Sequence, residues 1–281
     1  MPFFVVYSVS WFAYVLAYYV TGYRKKTVIM NLRNSFPEKT PEEVRKIAKK
    51  FYRNFMDVMV EVVKGVTMSE NALKERFIPV NPDMLDKLYE MNQSVIVVGA
   101  HYANSEWGKV LSRIQRHPII TIYSPFMNRD ADAIYNRSRE KFGMIVVPYE
   151  KTLRAFMDHR GSPHCYIMGV DQRPFEKKNA FWVRFLNQDT PCHKGFEQIA
   201  RRFNIPVVYS DIRRLKKGHY SLKYMMLSEE PAKTEEGYIV TRFMQNLESI
   251  IREKPEDWLW SHKRWKFTRD SEEMDQNPEK N

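Results

Sequence analysis

His101 and Glu106 stand in the order His-x-x-x-x-Glu. A neutral imidazole takes a proton near physiological pH, and a carboxylate on its second ring nitrogen fixes the tautomer and steadies the imidazolium. That chemistry suits general-base activation of a hydroxyl. The spacing alone carries little weight. With 7 histidines and 34 acidic residues in 281 positions, composition yields on the order of one chance match.

The surrounding elements carry more. His101 follows the apolar run VIVVGA, which reads as a buried strand, and reactive side chains gather at the carboxyl ends of strands in α/β sheets. Asn104 and Ser105 are helix-start residues. The pattern predicts a helix from Asn104 to Arg116, with Glu106 in its first turn and able to reach back to the imidazole. A structural histidine held by local hydrogen bonds fits the same context equally well.

The rest of the chain supplies a scaffold of that kind. Thr40-Pro41-Glu42-Glu43 is a capping box with proline at the first helical position. Apolar residues at helical spacing follow it, and Gly65 is a natural stop. Strands are expected at 94–99, 119–123, 144–147, 164–170, 207–212 and 220–226. Helices are expected at 130–142, 151–159 and 234–252, with a further one running from a Thr190-Pro191 cap to Phe203. The alternation predicts an α/β fold, a central mixed sheet flanked by helices.

No charged side chain occurs from Met1 to Tyr23, and Arg24, Lys25 and Lys26 follow at once. An apolar aromatic segment with a positive flank is the pattern of a membrane anchor whose following domain stays cytoplasmic. A buried core helix and a shallow interfacial helix are the other readings. Three regions result: an anchor over 1–23, a catalytic domain over 24–268 and an acidic tail over 269–281. The formal charge is +11, and a basic chain favours acidic partners. Cys165 and Cys192 are too few for a disulfide framework or a four-cysteine zinc site. No nucleotide loop or metal cluster stands out, so no cofactor and no metal are expected.

Taken in order, the segments GYRKKTVIMNLRNSFPEKTPEEVRKI, GAHYANSEWG, IYSPFMNRDADAIYNRSREKFG, VDQRP and WLWSHKRWK resemble the lipid A late acyltransferase family, within the wider lysophospholipid acyltransferase superfamily. The resemblance runs over nearly the whole chain. It implies acyl transfer from a thioester, carried by acyl carrier protein or coenzyme A, to a hydroxyl of a lipid A precursor at the inner membrane. Nucleic acid is not an expected partner. His101 matches the family's catalytic histidine and Glu106 its acidic partner. Glycerophosphate-type relatives usually carry Asp at the second position, so Glu106 favours the lipid A side.

Further roles follow from the resemblance. Arg139 lies where the family places an arginine near the site, to stabilise an oxyanion or hold a phosphate, and Arg137 is the alternative. Asp171 and Gln172 match a family Asp-Gln pair, with Asp171 expected to bind acceptor hydroxyls or orient Arg139. Read from the residues themselves, Trp258, Trp260, Trp265 and nearby bases form an aromatic-basic patch, in which the tryptophans are expected to pack the last helix and Arg264 to meet an anionic headgroup. Two other functions remain open: the same chemistry on a lysophospholipid or an acylated amino-acid lipid, and non-catalytic binding to polyanions or membranes.

Overall fold

The computed structural model describes residues 1–269. Most of the tail expected over 269–281 therefore lies outside the described residues. The chain opens with α1 (Phe3–Val15), continued by a wider π-type turn over Leu16–Val20, then α2 (Lys25–Ser35) and α3 (Pro41–Gly65). The Thr40 hydroxyl accepts from Glu43 N, and the Glu43 carboxylate accepts from Thr40 N, completing the capping box. Next come α4 (Glu70–Lys74), β1 (Phe77–Pro79), α5 (Asp83–Glu90) and β2 (Val95–Gly99).

After β2, a 3-10 segment covers Ser105–Arg113, where the pattern predicted an α-helix. Asn104 does not cap it: the side chain turns inward and donates to Glu61 Oε2 of α3 (3.1 Å). The Trp107 indole donates to Glu61 O (2.9 Å) and the Lys109 ammonium to Gly65 O (2.8 Å). These sideways ties to α3 take precedence over regular winding. They leave the segment as a brace between sheet and helix.

The remaining elements are β3 (Ile119–Tyr123), α6 (Arg129–Lys141), β4 (Ile145–Pro148), α7 (Thr152–Asp158), β5 (Cys165–Gly169), β6 (Phe181–Phe185), β7 (Gln188–Cys192), α8 (Gly195–Phe203), β8 (Val207–Lys216), β9 (His219–Ser228) and α9 (Tyr238–Glu253). Thr190 and Pro191 lie in β7 and do not cap the next helix, which begins at Gly195. Leu186 and Asn187 both take positive φ, the conformation of a two-residue hairpin turn. Neither is glycine, so the β6–β7 hairpin carries little of the usual turn signal.

Among the described residues, seven strands form one mixed sheet in the order β1-β9-β8-β2-β5-β3-β4. Within that sheet, among the described residues, only the β8–β9 pairing is antiparallel. Side chains of β2 alternate between two cores. Ile96 and Val98 join the one that includes α2, α3, α8 and α9, while Val95 and Val97 join the one around Trp107 and Phe77. A strand buried on both faces is the expected centre of such a sheet.

Candidate active site

β2 and β5 are neighbours, and their register pairs Gly99 with Gly169. His101 lies two residues beyond the first glycine and Asp171 two beyond the second. The register thus brings both side chains to the same height above the sheet. His101 Nδ1 donates to Asp171 Oδ1 at 2.7 Å. The Trp258 indole donates to Asp171 Oδ2 at 2.9 Å. Gly169 makes room for the ring: a Cβ there would lie 3.2 Å from His101 Cε1.

A second segment locks this loop. Tyr102 bridges Trp258, Ala103 N donates to Asp257 O (2.9 Å), and Leu259 N donates to His101 O (3.2 Å). Ala103 takes a positive φ of 56°, which turns the chain away after His101. Asp171 is 2% exposed, while 44% of the His101 side chain remains exposed. The pair is therefore anchored on the protein side and accessible from the other.

Electrostatics follow the geometry. Burial opposes ionisation of Asp171, but the charge and hydrogen bond of His101 and the Trp258 N–H outweigh it and bring the carboxyl down to about 2. Desolvation likewise opposes charge on His101, and Asp171 overcomes it, raising the imidazole above its ordinary value. With Nδ1 committed to Asp171, Nε2 is the ring nitrogen left for a substrate proton.

The carboxylate expected on His101 has a different partner. Glu106 Oε1 and Oε2 accept from Arg139 Nε (3.0 Å) and Nη2 (2.7 Å) in a bidentate pair. Asp171, expected to orient Arg139 or bind a hydroxyl, instead holds His101. Each acid thus contacts a residue expected for the other. The turn at Ala103 sends the 3-10 segment toward α6, and Arg139 meets Glu106 there. Lys109 steadies the neighbouring turn by donating to Ser138 Oγ (2.6 Å); burial pushes its ammonium down to about 8.

The other expected residues are placed as follows. Arg137 is exposed on α6, and Gln172 is half-buried beside Asp171. Arg264 is 1% exposed. Its Nη1 donates to Pro191 O (2.6 Å) and its Nη2 to Cys192 Sγ (3.4 Å). A guanidinium buried against β7 offers no surface to a headgroup, which corrects the expectation made for it. Trp258 and Trp260 are buried, and Trp265 donates to Thr190 Oγ1 (2.7 Å). Trp258 joins the site through its bond to Asp171, which its membership of an aromatic-basic patch in the sequence does not signal. Both cysteines are buried, and burial pushes the Cys165 thiol up to about 12, unlike an activated nucleophile.

A profile of bacterial lipid A biosynthesis acyltransferases matches residues 1–267. The chain is 22% identical over 246 residues to the lipid A biosynthesis palmitoleoyltransferase of Escherichia coli (strain K12), covering 86% of this chain and 79% of that protein. It is 19% identical over 250 residues to a lipid A biosynthesis acyltransferase of Haemophilus influenzae, covering 87% and 76%. A lipid A biosynthesis acyltransferase 2 of Shigella flexneri is 20% identical over 259 residues, covering 90% and 81%. With the match extending from the first residue through the His101 loop to the Trp258 segment, the chain belongs to the bacterial lipid A biosynthesis acyltransferase family.

Proposed function

We propose that the protein transfers a fatty acyl chain from a thioester donor to a hydroxyl of a lipid A precursor, with His101 as general base and Asp171 as the carboxylate that orients it. The observation that carries this reading is the 2.7 Å contact between His101 Nδ1 and buried Asp171. Nε2 of His101 accepts the hydroxyl proton as the oxygen attacks the thioester carbonyl. The carbon–oxygen bond forms, the carbon–sulfur bond breaks, and the imidazolium returns its proton to the departing thiolate. Asp171 stabilises the imidazolium between those events. Glu106 acts through Arg139: it fixes the guanidinium, whose remaining N–H groups serve the developing oxyanion or an acceptor phosphate. The location we assign is the inner membrane, with the catalytic domain on the cytoplasmic side. The basic chain suits either donor, since acyl carrier protein and coenzyme A are both acidic.

The test is a micellar assay of purified protein with a tetra-acylated lipid A precursor, offered acyl carrier protein thioester and acyl-coenzyme A separately. Product from wild type, reduced at least ~100-fold in His101→Ala, is expected for a general base. Wild-type turnover by a folded His101→Ala variant would overturn the mechanism. Acylation of a lysophospholipid or an acylated amino-acid lipid, and not of the precursor, would move the acceptor. Salt-dependent binding without turnover on any acceptor would favour the non-catalytic reading.

A further inference from the structure

We infer that the N-terminal apolar helix lies in the plane of an anionic bilayer surface rather than crossing it, with one face seated on α3 and the opposite face in the lipid. By length and composition Phe3–Val20 could span a membrane. Its packing argues against that arrangement. α1 runs antiparallel to α3 along its whole length. The Phe3 ring lies 6.0 Å from Lys64 Nζ, Tyr7 OH donates to Glu61 Oε1 (2.8 Å), and Ser10 Oγ donates to Asp57 Oδ1 (2.6 Å). Beyond the π-type turn, the Tyr18 and Tyr52 rings sit 5.3 Å apart, and Tyr52 OH donates to Tyr23 O.

Both ends of the helix are also tied to the domain. At the start, the Arg76 guanidinium lies 4.0 Å from the Phe3 ring, and Lys217 Nζ lies 4.8 Å from the Tyr7 ring. At the other end, Arg24 donates to Ser261 O (3.1 Å). A spanning orientation would draw Arg53, Asp57, Glu61 and Lys64 of α3 to hydrocarbon depth and carry Arg76 and Lys217 to the far side. Charged side chains resist burial in hydrocarbon, so a helix fixed in this way enters lipid by one face only.

That face has the composition the interface takes. Phe4 (74% exposed), Val9, Trp11, Phe12 (66%), Leu16 and Val20 form an outward stripe. Tyr19 and Tyr23 border it, and exposed Arg24, Lys26 and Arg33 follow. Aromatic side chains favour the headgroup boundary, and neighbouring cations favour anionic lipids. The polar contacts on the inner face explain Ser10 and Tyr7 within an otherwise apolar run: their hydroxyls reach carboxylates one helical turn apart on α3.

The inference does not depend on which lipid is acylated. Nitroxide labels at Phe4→Cys, Phe12→Cys and Val20→Cys would report depth in phosphatidylethanolamine–phosphatidylglycerol vesicles, read from collisions with oxygen and a polar relaxant. Cys165 and Cys192 are buried and stay unlabelled. The three labels should lie at one shallow depth near the headgroup–acyl boundary. A Phe12 label at the bilayer midplane, with Phe4 and Val20 labels in opposite headgroup layers, would overturn the inference. So would failure of the full chain to bind these vesicles. Phe12 is exposed, so Phe12→Glu keeps the fold and should weaken vesicle binding by about tenfold or more; unchanged binding would count equally against the lipid-facing stripe.

Discussion

His101 and Asp171 are 70 residues apart in the chain and 2.7 Å apart in space. What unites them is strand register. Gly99 and Gly169 face each other across β2 and β5, and each of the two side chains leaves the sheet two residues later. The sheet sets their spacing, the 257–259 segment locks the His101 loop, and Trp258 completes the hydrogen bonding of the carboxylate.

Gly169 is the position where that register leaves room for the ring. Gly169→Ala would put a Cβ 3.2 Å from His101 Cε1, so the imidazole must shift by a few tenths of an ångström. We expect kcat to fall by about 10- to 100-fold, since small misplacements of catalytic groups are costly. Thermal unfolding should move little. A full-rate Gly169→Ala enzyme would show that the ring position is not set there.

Glu106 and Arg139 form a partly shielded bidentate pair, each side chain 16% exposed. Glu106→Ala and Arg139→Ala should each destabilise the protein by about 1–3 kcal/mol, below the range of a fully buried pair. The double variant should cost less than the sum of the two, because the partners share one interaction. Urea titration of the four proteins measures the coupling. Strict additivity would deny the pair.

Asp57 faces Arg214 at 2.6 Å, with side chains 2% and 6% exposed, and also accepts from Ser10 of α1. Asp57→Ala strands a buried guanidinium and should destabilise the domain by about 3–5 kcal/mol. Added salt should change that loss little, because buried pairs are weakly screened. A loss under about 1 kcal/mol would mean that Arg214 finds solvent when its partner is removed.

Much of this arrangement was legible in the sequence. Strand-forming runs with helices between them located the sheet, and the Thr40 capping box fixed where α3 begins. The position of His101 after VIVVGA marked the end of the sheet where the candidate site lies. Pairing across the fold was not legible. Glu106 is five positions from His101, so local spacing made it the natural partner, but the turn at Ala103 and the brace on α3 send it to α6. Asp171 was expected in the site, yet strand order and register, which sequence periodicity does not encode, decide that it meets the imidazole. Asp57 and Glu61 lie off the apolar stripe of α3, and what buries them is the cover of α1 and the β8–β9 hairpin. Arg264 looked like a surface base among tryptophans; its burial depends on a β6–β7 hairpin whose turn lacks glycine.

Asp171, and not Glu106, is the carboxylate we propose to act on His101. The most direct measurement is the pH dependence of kcat/KM for wild type, Asp171→Asn and Glu106→Gln in the micellar assay. An ionised Asp171 stabilises the imidazolium, so the neutral imidazole that the proposed base requires appears only above a raised pKa. Asp171→Asn should move the acid limb to lower pH and reduce the plateau by roughly 10²–10⁴-fold. Glu106→Gln should leave the limb in place, whatever it does to the plateau. A limb that shifts with Glu106→Gln and stays fixed with Asp171→Asn would contradict the assignment.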